Sequence, residues 1–337
     1  MKGLVPAVLV SFLLPAAGFC NDVPFKDKAV DQALNQADPT YELAKDVIVG
    51  PGRTPDELRQ EITSGPAYQY SGGESPKGVA ANLSPHSWTL GAESYYYKYK
   101  EAIEVRDTGH FVGVFAGYTY KGWLPPAPAA LDKWELGLES RIAWGQVDYD
   151  GALMDGTPYK IENINDYMVE LRGTAGYDYP VGKAVVLTPY FGYGYRYLDD
   201  RGQKRDPAAY ERQSNYFYSP IGLQTKLVMG MGWSLGLALE YDLFITGRQI
   251  SHIGRDADPN ENNSIRQSQD SGFGTRASFR LLHEGAIDLS IEPFVRYWSV
   301  DESDIKPETI NGVPTGSGFV EPKNKTLEAG VRVGVGF

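Results

Sequence analysis

From residue 88 to the end, the chain alternates apolar and polar residues at period two in ten separate stretches. They lie near 88–100, 110–121, 134–147, 167–179, 184–198, 214–229, 232–246, 271–283, 286–299 and 326–337. Period two sends successive side chains to opposite faces of an extended chain, so each stretch predicts a strand. In the seventh, Trp233, Leu235, Leu237, Leu239, Tyr241, Leu243 and Ile245 share one face, while Ser234, Gly236, Ala238, Glu240 and Asp242 share the other. The fourth separates Val169 and Leu171 from Glu170 and Arg172. The eighth separates Phe273, Ala277, Phe279 and Leu281 from Arg276 and Arg280. The ninth separates Ile287, Leu289, Ile291 and Val295 from Asp288, Glu292 and Arg296.

The connections alternate in length. Three are short: 180–183, 230–232 and 283–285. Between them lie the long polar stretches 148–166, 199–213, 247–270 and 300–325. Short turns at one end and long loops at the other predict a closed antiparallel transmembrane β-barrel of about ten strands, with eight or twelve as alternatives. Two connections fit less well: the first loop, about 101–109, is modest, and the turn 124–133 is long and Pro-rich. A basic residue facing lipid at mid-membrane costs about 2–4 kcal/mol, so the charged faces must turn inward. The lumen then carries Glu93, Glu135, Glu139, Arg141, Glu170, Arg172, Arg196, Lys226, Glu240, Asp242, Arg276, Arg280, Glu292, Arg296, Glu328 and Arg332. Acid beside base makes either a salt-bridged plug or a narrow polar pore with a charged constriction.

The last eleven residues, LEAGVRVGVGF, place Leu327, Ala329, Val331, Val333, Val335 and Phe337 on one side. This segment resembles the closing strand of Gram-negative outer-membrane β-barrels, which usually ends in Phe behind apolar residues at every second position. The resemblance implies pairing with the first strand and recognition by the barrel insertion machinery. It also implies an outer-membrane location, with outer-membrane lipid and lipopolysaccharide as surroundings. Aromatic residues gather near both ends of the strands, among them Tyr118, Trp123, Trp134 and Trp233 at one and Trp144, Tyr167 and Tyr297 at the other, as interface belts require. A soluble β-sandwich with surface Tyr is the competing architecture. A monomer is expected rather than an oligomer.

Composition narrows the rest. The 337 residues include 38 Gly and 23 Tyr, and the formal net charge of −11 argues against a nucleic-acid partner. Met1-Lys2, the apolar run Leu4–Leu14 and Ala16-Ala17-Gly18 read as a signal peptide over 1–18. Cys20, the one cysteine, rules out an internal disulfide; it invites a lipoprotein reading, against which Phe19 directly precedes it. Residues 19–87 form a polar periplasmic extension, partly helical within 26–49 and again from Thr54-Pro55-Asp56-Glu57, where Thr caps and Glu completes a capping box. The extension either stays loose in the periplasm, or enters the barrel or contacts a periplasmic partner. The barrel occupies 88–337.

Candidate chemistry is sparse. Asp256, Asp258, Asn260 and Asn262 have the oxygen spacing of a calcium loop, but Glu261 and Gln267 stand where its turn glycine and bidentate glutamate belong. Ten strands is also the strand number of omptin proteases, a similarity of architecture only. Asp107 near His110, or Asp199 and Asp200 across from His252, could orient a general base, while Ser251 beside His252 is no nucleophile signal. No matching omptin acidic pair with Asp-x-His appears, and no lipid-hydrolase motif. The expectation is therefore a non-enzymatic barrel, structural or narrow-pore, with no catalytic residue, metal or cofactor. A surface enzyme or an adhesin-like binding barrel are the alternatives.

Overall fold

The computed structural model describes residues 85–102, 105–122, 133–152, 156–253, 264–310 and 313–337. The expected signal segment, the helices expected at 26–49 and from Thr54, the Asp256–Asn262 loop and Trp123 lie outside them. The chain divides into two units, 1–73 and 74–337, and the described strands all belong to the second.

Among the described residues, fourteen strands succeed one another: β1 (His86–Glu101), β2 (Arg106–Lys121), β3 (Trp134–Ala152), β4 (Pro158–Tyr177), β5 (Tyr179–Val181), β6 (Val185–Arg201), β7 (Glu211–Gly230), β8 (Trp233–Ser251), β9 (Ile265–Gln269), β10 (Gly272–His283), β11 (Asp288–Val300), β12 (Lys306–Ile310), β13 (Val313–Phe319) and β14 (Asn324–Gly336). A short helix, α1 (Gly202–Arg205), sits between β6 and β7. Twelve strands make a single antiparallel sheet. In it β5 prolongs the line of β4 along β6, and β9 prolongs that of β10 along β8, leaving ten staves. Each stave pairs with its sequence neighbour, and β14 closes the ring on β1, with Ala92 opposite Val333 and Glu93 opposite Arg332. At the seam Trp88 and Phe337 exchange both backbone hydrogen bonds, at 2.9 and 3.0 Å. A closed barrel leaves no stave edge unpaired, the condition for a sheet that stands in hydrocarbon.

The alternation decides which face points out. Leu239, Val333 and Val112 are 51, 51 and 56% exposed, whereas their strand neighbours Glu240, Arg332 and Phe111 are buried. The buried interior is thus the polar and aromatic side, the reverse of a soluble sandwich. No described helix is long and apolar enough to cross a membrane; the crossing elements are strands. The β7–β8 turn shows why small residues stand at the short-turn end. Gly230, Met231 and Gly232 all adopt positive φ (91°, 54° and 78°), a conformation glycine enters without the Cβ penalty.

The staves reach further than the alternation implies at the long-loop end. Of the stretch expected as loop over 148–166, β3 takes residues to Ala152 and β4 starts at Pro158. Likewise β9 comes from 247–270 and the β12–β13 hairpin from 300–325. Beyond the apolar band both faces of the wall are polar, so the side-chain signal disappears while backbone pairing continues.

The central outer face is where lipid contact is most sensitive to charge. Val333→Arg, with Ala92 and Ile291 as its lateral neighbours, is expected to lower stability by about 2–4 kcal/mol. Denaturant unfolding in lipid vesicles measures it, against a change near zero for Val313→Arg on the exposed hairpin.

Candidate functional site

The middle of the lumen is filled by an ion-pair layer. Arg141 donates to Glu170 (2.6 Å), Glu93 (3.0 Å) and Glu328 (3.1 Å). Glu328 also accepts from Arg196 at 2.8 Å and Arg296 at 3.0 Å. Arg332 bridges Glu93 (2.9 Å) and Glu139 (3.1 Å), and Arg276 reaches Asp242 (2.7 Å), Glu240 (3.1 Å) and Glu170. Arg172 completes the set on Glu240. Six guanidinium groups thus meet six carboxylates, drawn from eight of the ten staves. The two staves that give no charge, β2 and β7, supply rings instead. Arg332 lies 4.7 Å from the Phe115 ring centre, and the Tyr218 hydroxyl donates to Glu170. The side chains of Arg141, Glu93, Glu170 and Glu328 are at most 1% exposed.

Glycines make the rings fit. A Cβ on Gly194 would stand 2.2 Å from the Tyr218 ring and one on Gly222 2.3 Å from that of Tyr190, so each absent side chain is the space a neighbouring Tyr occupies. The remaining lumen charges lie toward the short-turn end. Arg280 pairs with Glu292 at 2.7 Å, Glu135 with Lys121 at 2.7 Å, and Lys226 with Glu284.

Toward the long-loop end an aromatic layer covers the ion pairs, built from Tyr95, Tyr97, Phe111, Met168, Tyr216, Phe244 and Trp298. Above it opens an acidic mouth. Arg212 bonds Glu101 (2.9 Å), Asp200 (3.0 Å) and Asp107 (3.3 Å), with Glu321 4.0 Å away. Tyr99 donates to both Glu101 and Glu321 at 3.0 Å. Asp166 is buried nearby, accepting the Arg201 N–H at 3.2 Å, and the Oδ1 of Asp107 is buried without a hydrogen bond. Alternation singles out none of Glu101, Arg212 and Glu321. Their only signal in the chain is weak: acids scattered through the polar ends of stretches that converge in the fold.

The histidine candidates separate. His110 lies on the outer wall, its Nε2 2.8 Å from Ser94 Oγ, while Asp107 points into the mouth three residues away. His252 Nδ1 is 2.8 Å from Ser264 Oγ, and its would-be partners are engaged elsewhere, Asp199 with Arg201 (2.7 Å) and Asp200 with Arg212. Ser251 is buried in the wall at the end of β8. Among the described residues no group of three or more His, Cys, Asp or Glu is placed to hold a metal ion.

No protein-family model matches the chain, and no curated protein matches it in sequence. Solved structures do match. The outer membrane protease OmpT from Escherichia coli superposes with a TM-score of 0.51 at 10% identity, over 75% of this chain and 96% of that one. The fold is that of an outer-membrane β-barrel. Weaker likenesses are to the translocator domain of the autotransporter NalP from Neisseria meningitidis (TM-score 0.36, 14% identity, 77% of this chain and 90% of that one) and to Ail of Yersinia pestis (0.25, 11%, 76% and 100%). In barrels of this fold the short turns are periplasmic and the long loops extracellular; the acidic mouth lies at the long-loop end.

Burial pushes the Glu321 carboxyl up to about 7, with Glu101 and Asp200 adding to the rise and Arg212 opposing it. A folded value above the ordinary 4.5 means that the fold favours the neutral form. That stabilisation is complete below about pH 4.5 and fades as pH rises through 7. Hydrogen exchange of residues 313–323 in this outer-membrane β-barrel, corrected for intrinsic rate, should therefore quicken between pH 6 and 8. In Glu321→Gln that change should flatten.

The ion-pair layer has a separate signature. Removing the carboxylate of Glu328 leaves three buried guanidinium groups short of a partner, so Glu328→Ala should cost about 3–5 kcal/mol. Arg280→Ala, in a pair 40% exposed on the Arg side, should cost about 1 kcal/mol or less. Denaturant midpoints in vesicles separate the two.

Proposed function

We propose that the chain is a non-enzymatic, non-conducting barrel of the outer membrane, a structural body that displays its long loops and acidic mouth to the exterior. The observation that carries this reading is the ion-pair layer. Its charges balance six against six, and its central side chains are withdrawn from water on both sides. A ten-stranded wall encloses a bore only about 20 Å across between backbones, and side chains of Arg and Glu size reach its axis. A hydrated ion has no path without separating Arg141 from Glu93, Glu170 and Glu328 together. The long loops, by contrast, can vary without touching this layer, which suits display rather than transport.

The non-enzymatic part of the proposal rests on the histidines. A general base needs an orienting partner within hydrogen-bond reach, and His110 faces lipid while Asp107 faces the mouth. His252 is tied to Ser264.

Planar-bilayer recording of the full-length protein tests the closed lumen. The expected result is no steady conductance steps above the bare membrane. Reproducible single-channel steps that change size in Arg141→Ala would overturn the proposal in favour of a narrow pore.

A further inference from the structure

The two halves of the lumen are filled differently. On the long-loop side of the ion pairs, inward glycines make room for rings, as Gly145 does for Phe111 and Gly247 for Phe244. On the short-turn side Gly117 and Gly236, on opposite walls, are not so filled. A Cβ on Gly117 would meet only Thr89, at 3.8 Å, and one on Gly236 would stand 3.4 Å from its nearest neighbour. Between them lies a cavity of about 230 Å³, floored by Arg172, Arg276 and Arg332 of the ion-pair layer. Its wall carries small and hydrogen-bonding residues, among them Thr89, Gly137, Thr174, Gln224 and Ser278. The lining extends to Thr119, Glu135 and Gly176, next to the ends of β2, β3 and β4, so the cavity opens toward the short turns.

The most accessible charges of this cavity stand on opposite walls. Glu139 is on β3 and Arg280 on β10, separated by β4, β6, β7 and β8 one way round the ring and by β2, β1, β14 and β11 the other. The Glu139 side chain is 30% exposed and accepts from Arg332 once on each oxygen, at 3.1 and 3.3 Å. An ionised carboxylate has about four acceptor sites, so Glu139 can take a further cation. Glu135, held by Lys121 at 2.7 Å, lies between it and the short turns. Arg280, 40% exposed, gives Nε and Nη2 to a single oxygen of Glu292, both at 2.7 Å, and makes no other ion pair among the described residues. A guanidinium fork matches a carboxylate. A plain anion here would face Glu139, and a plain cation would face Arg280. A molecule carrying both charges meets each wall with the opposite sign. It must also be short: the two side chains approach each other across a bore of about 20 Å. The cavity is smaller than the roughly 300–1,000 Å³ of sites for drug-sized ligands.

We propose that the short-turn half of the lumen binds a small zwitterion, a free amino acid or a dipeptide. Its ammonium lies at Glu139, its carboxylate at Arg280, and its remaining polar groups against Thr174, Gln224 and Ser278. The ion-pair layer is the blind end of the site, so the molecule enters and leaves past the short turns. The site depends neither on what the long loops display nor on which side of the membrane they face.

The test uses full-length protein in detergent, titrated with glycylglycine, with N-acetylglycylglycine, which lacks the ammonium, and with glycylglycinamide, which lacks the carboxylate. Saturation-transfer NMR gives each dissociation constant. The wild type should bind glycylglycine saturably and each blocked probe about tenfold more weakly, the loss of one hydrogen-bonded charge. Glucose at equal concentration should not displace glycylglycine. Arg280→Gln should weaken glycylglycine about tenfold yet leave glycylglycinamide unchanged, because that probe has no carboxylate to lose. Glu139→Gln should weaken glycylglycine likewise and leave N-acetylglycylglycine unchanged. Gly117→Leu with Gly236→Leu, at positions where a Cβ has room, should fill the cavity and abolish binding. Heat-dependent gel mobility verifies folding, and the comparison of probes on the wild type needs no variant. Absence of saturable glycylglycine binding, equal binding of a blocked probe, displacement by glucose, or undiminished binding by the folded double-glycine variant would each overturn the proposal.

Discussion

Glu328 receives hydrogen bonds from Arg141, Arg196 and Arg296, which start from three different staves. Much of the interior depends on this kind of convergence. Closing a sheet on itself with apolar residues outside forces the charged face inward, away from both lipid and bulk water. Ionised side chains there are tolerable only if each finds opposite charge and its hydrogen-bonding capacity is met. The layer meets that demand by matching six bases to six acids and by placing rings where β2 and β7 give it no charge. Its rigidity is a by-product: neither Glu328 nor Arg141 can turn away without giving up three partners at once.

The layered interior follows from the same constraint. Above the ion pairs Tyr95 stacks on Phe111 with ring centres 5.3 Å apart, and Tyr218 meets Trp298 edge-on at 5.1 Å. These rings exclude water from the upper side of the charges, which strengthens the pairs below them. At the long-loop mouth the balance changes sign. There Arg212 alone serves several acids, and burial raises one of them, Glu321, to about 7. The outer rim reverses it again, with Lys100 of β1 opposite Lys325 of β14 and opposite Arg106 of β2, the last bonded to Asp150.

How far the chain discloses its fold depends on what each residue faces. Wherever one face meets hydrocarbon and the other a charged lumen, alternation is forced, and it locates all ten staves and orients residues such as Leu239 and Glu240. The same rule names Arg141, Glu170 and Glu328 as inward charges. It cannot say that they share one point, because their meeting is set by the stagger of the strands around the ring and not by spacing along any one of them. Arg212 escapes for a different reason. It lies where both faces of the wall are wet, so its neighbours carry no pattern. The Asp107–His110 pairing fails on parity alone: three residues apart on a strand means opposite faces.

The bond from Arg332 to Glu93 joins positions 239 apart in sequence. Arg332 and Glu328 belong to the final stave, Glu93 to the first, and Arg141, Arg196 and Arg296 to staves between them. A barrel lacking its last strand therefore has no opposite charge for several of these groups, and its seam leaves them open to water. Sealing the interior and joining the first strand to the last are one cooperative event, so the chain cannot dry its charges until the ring is whole.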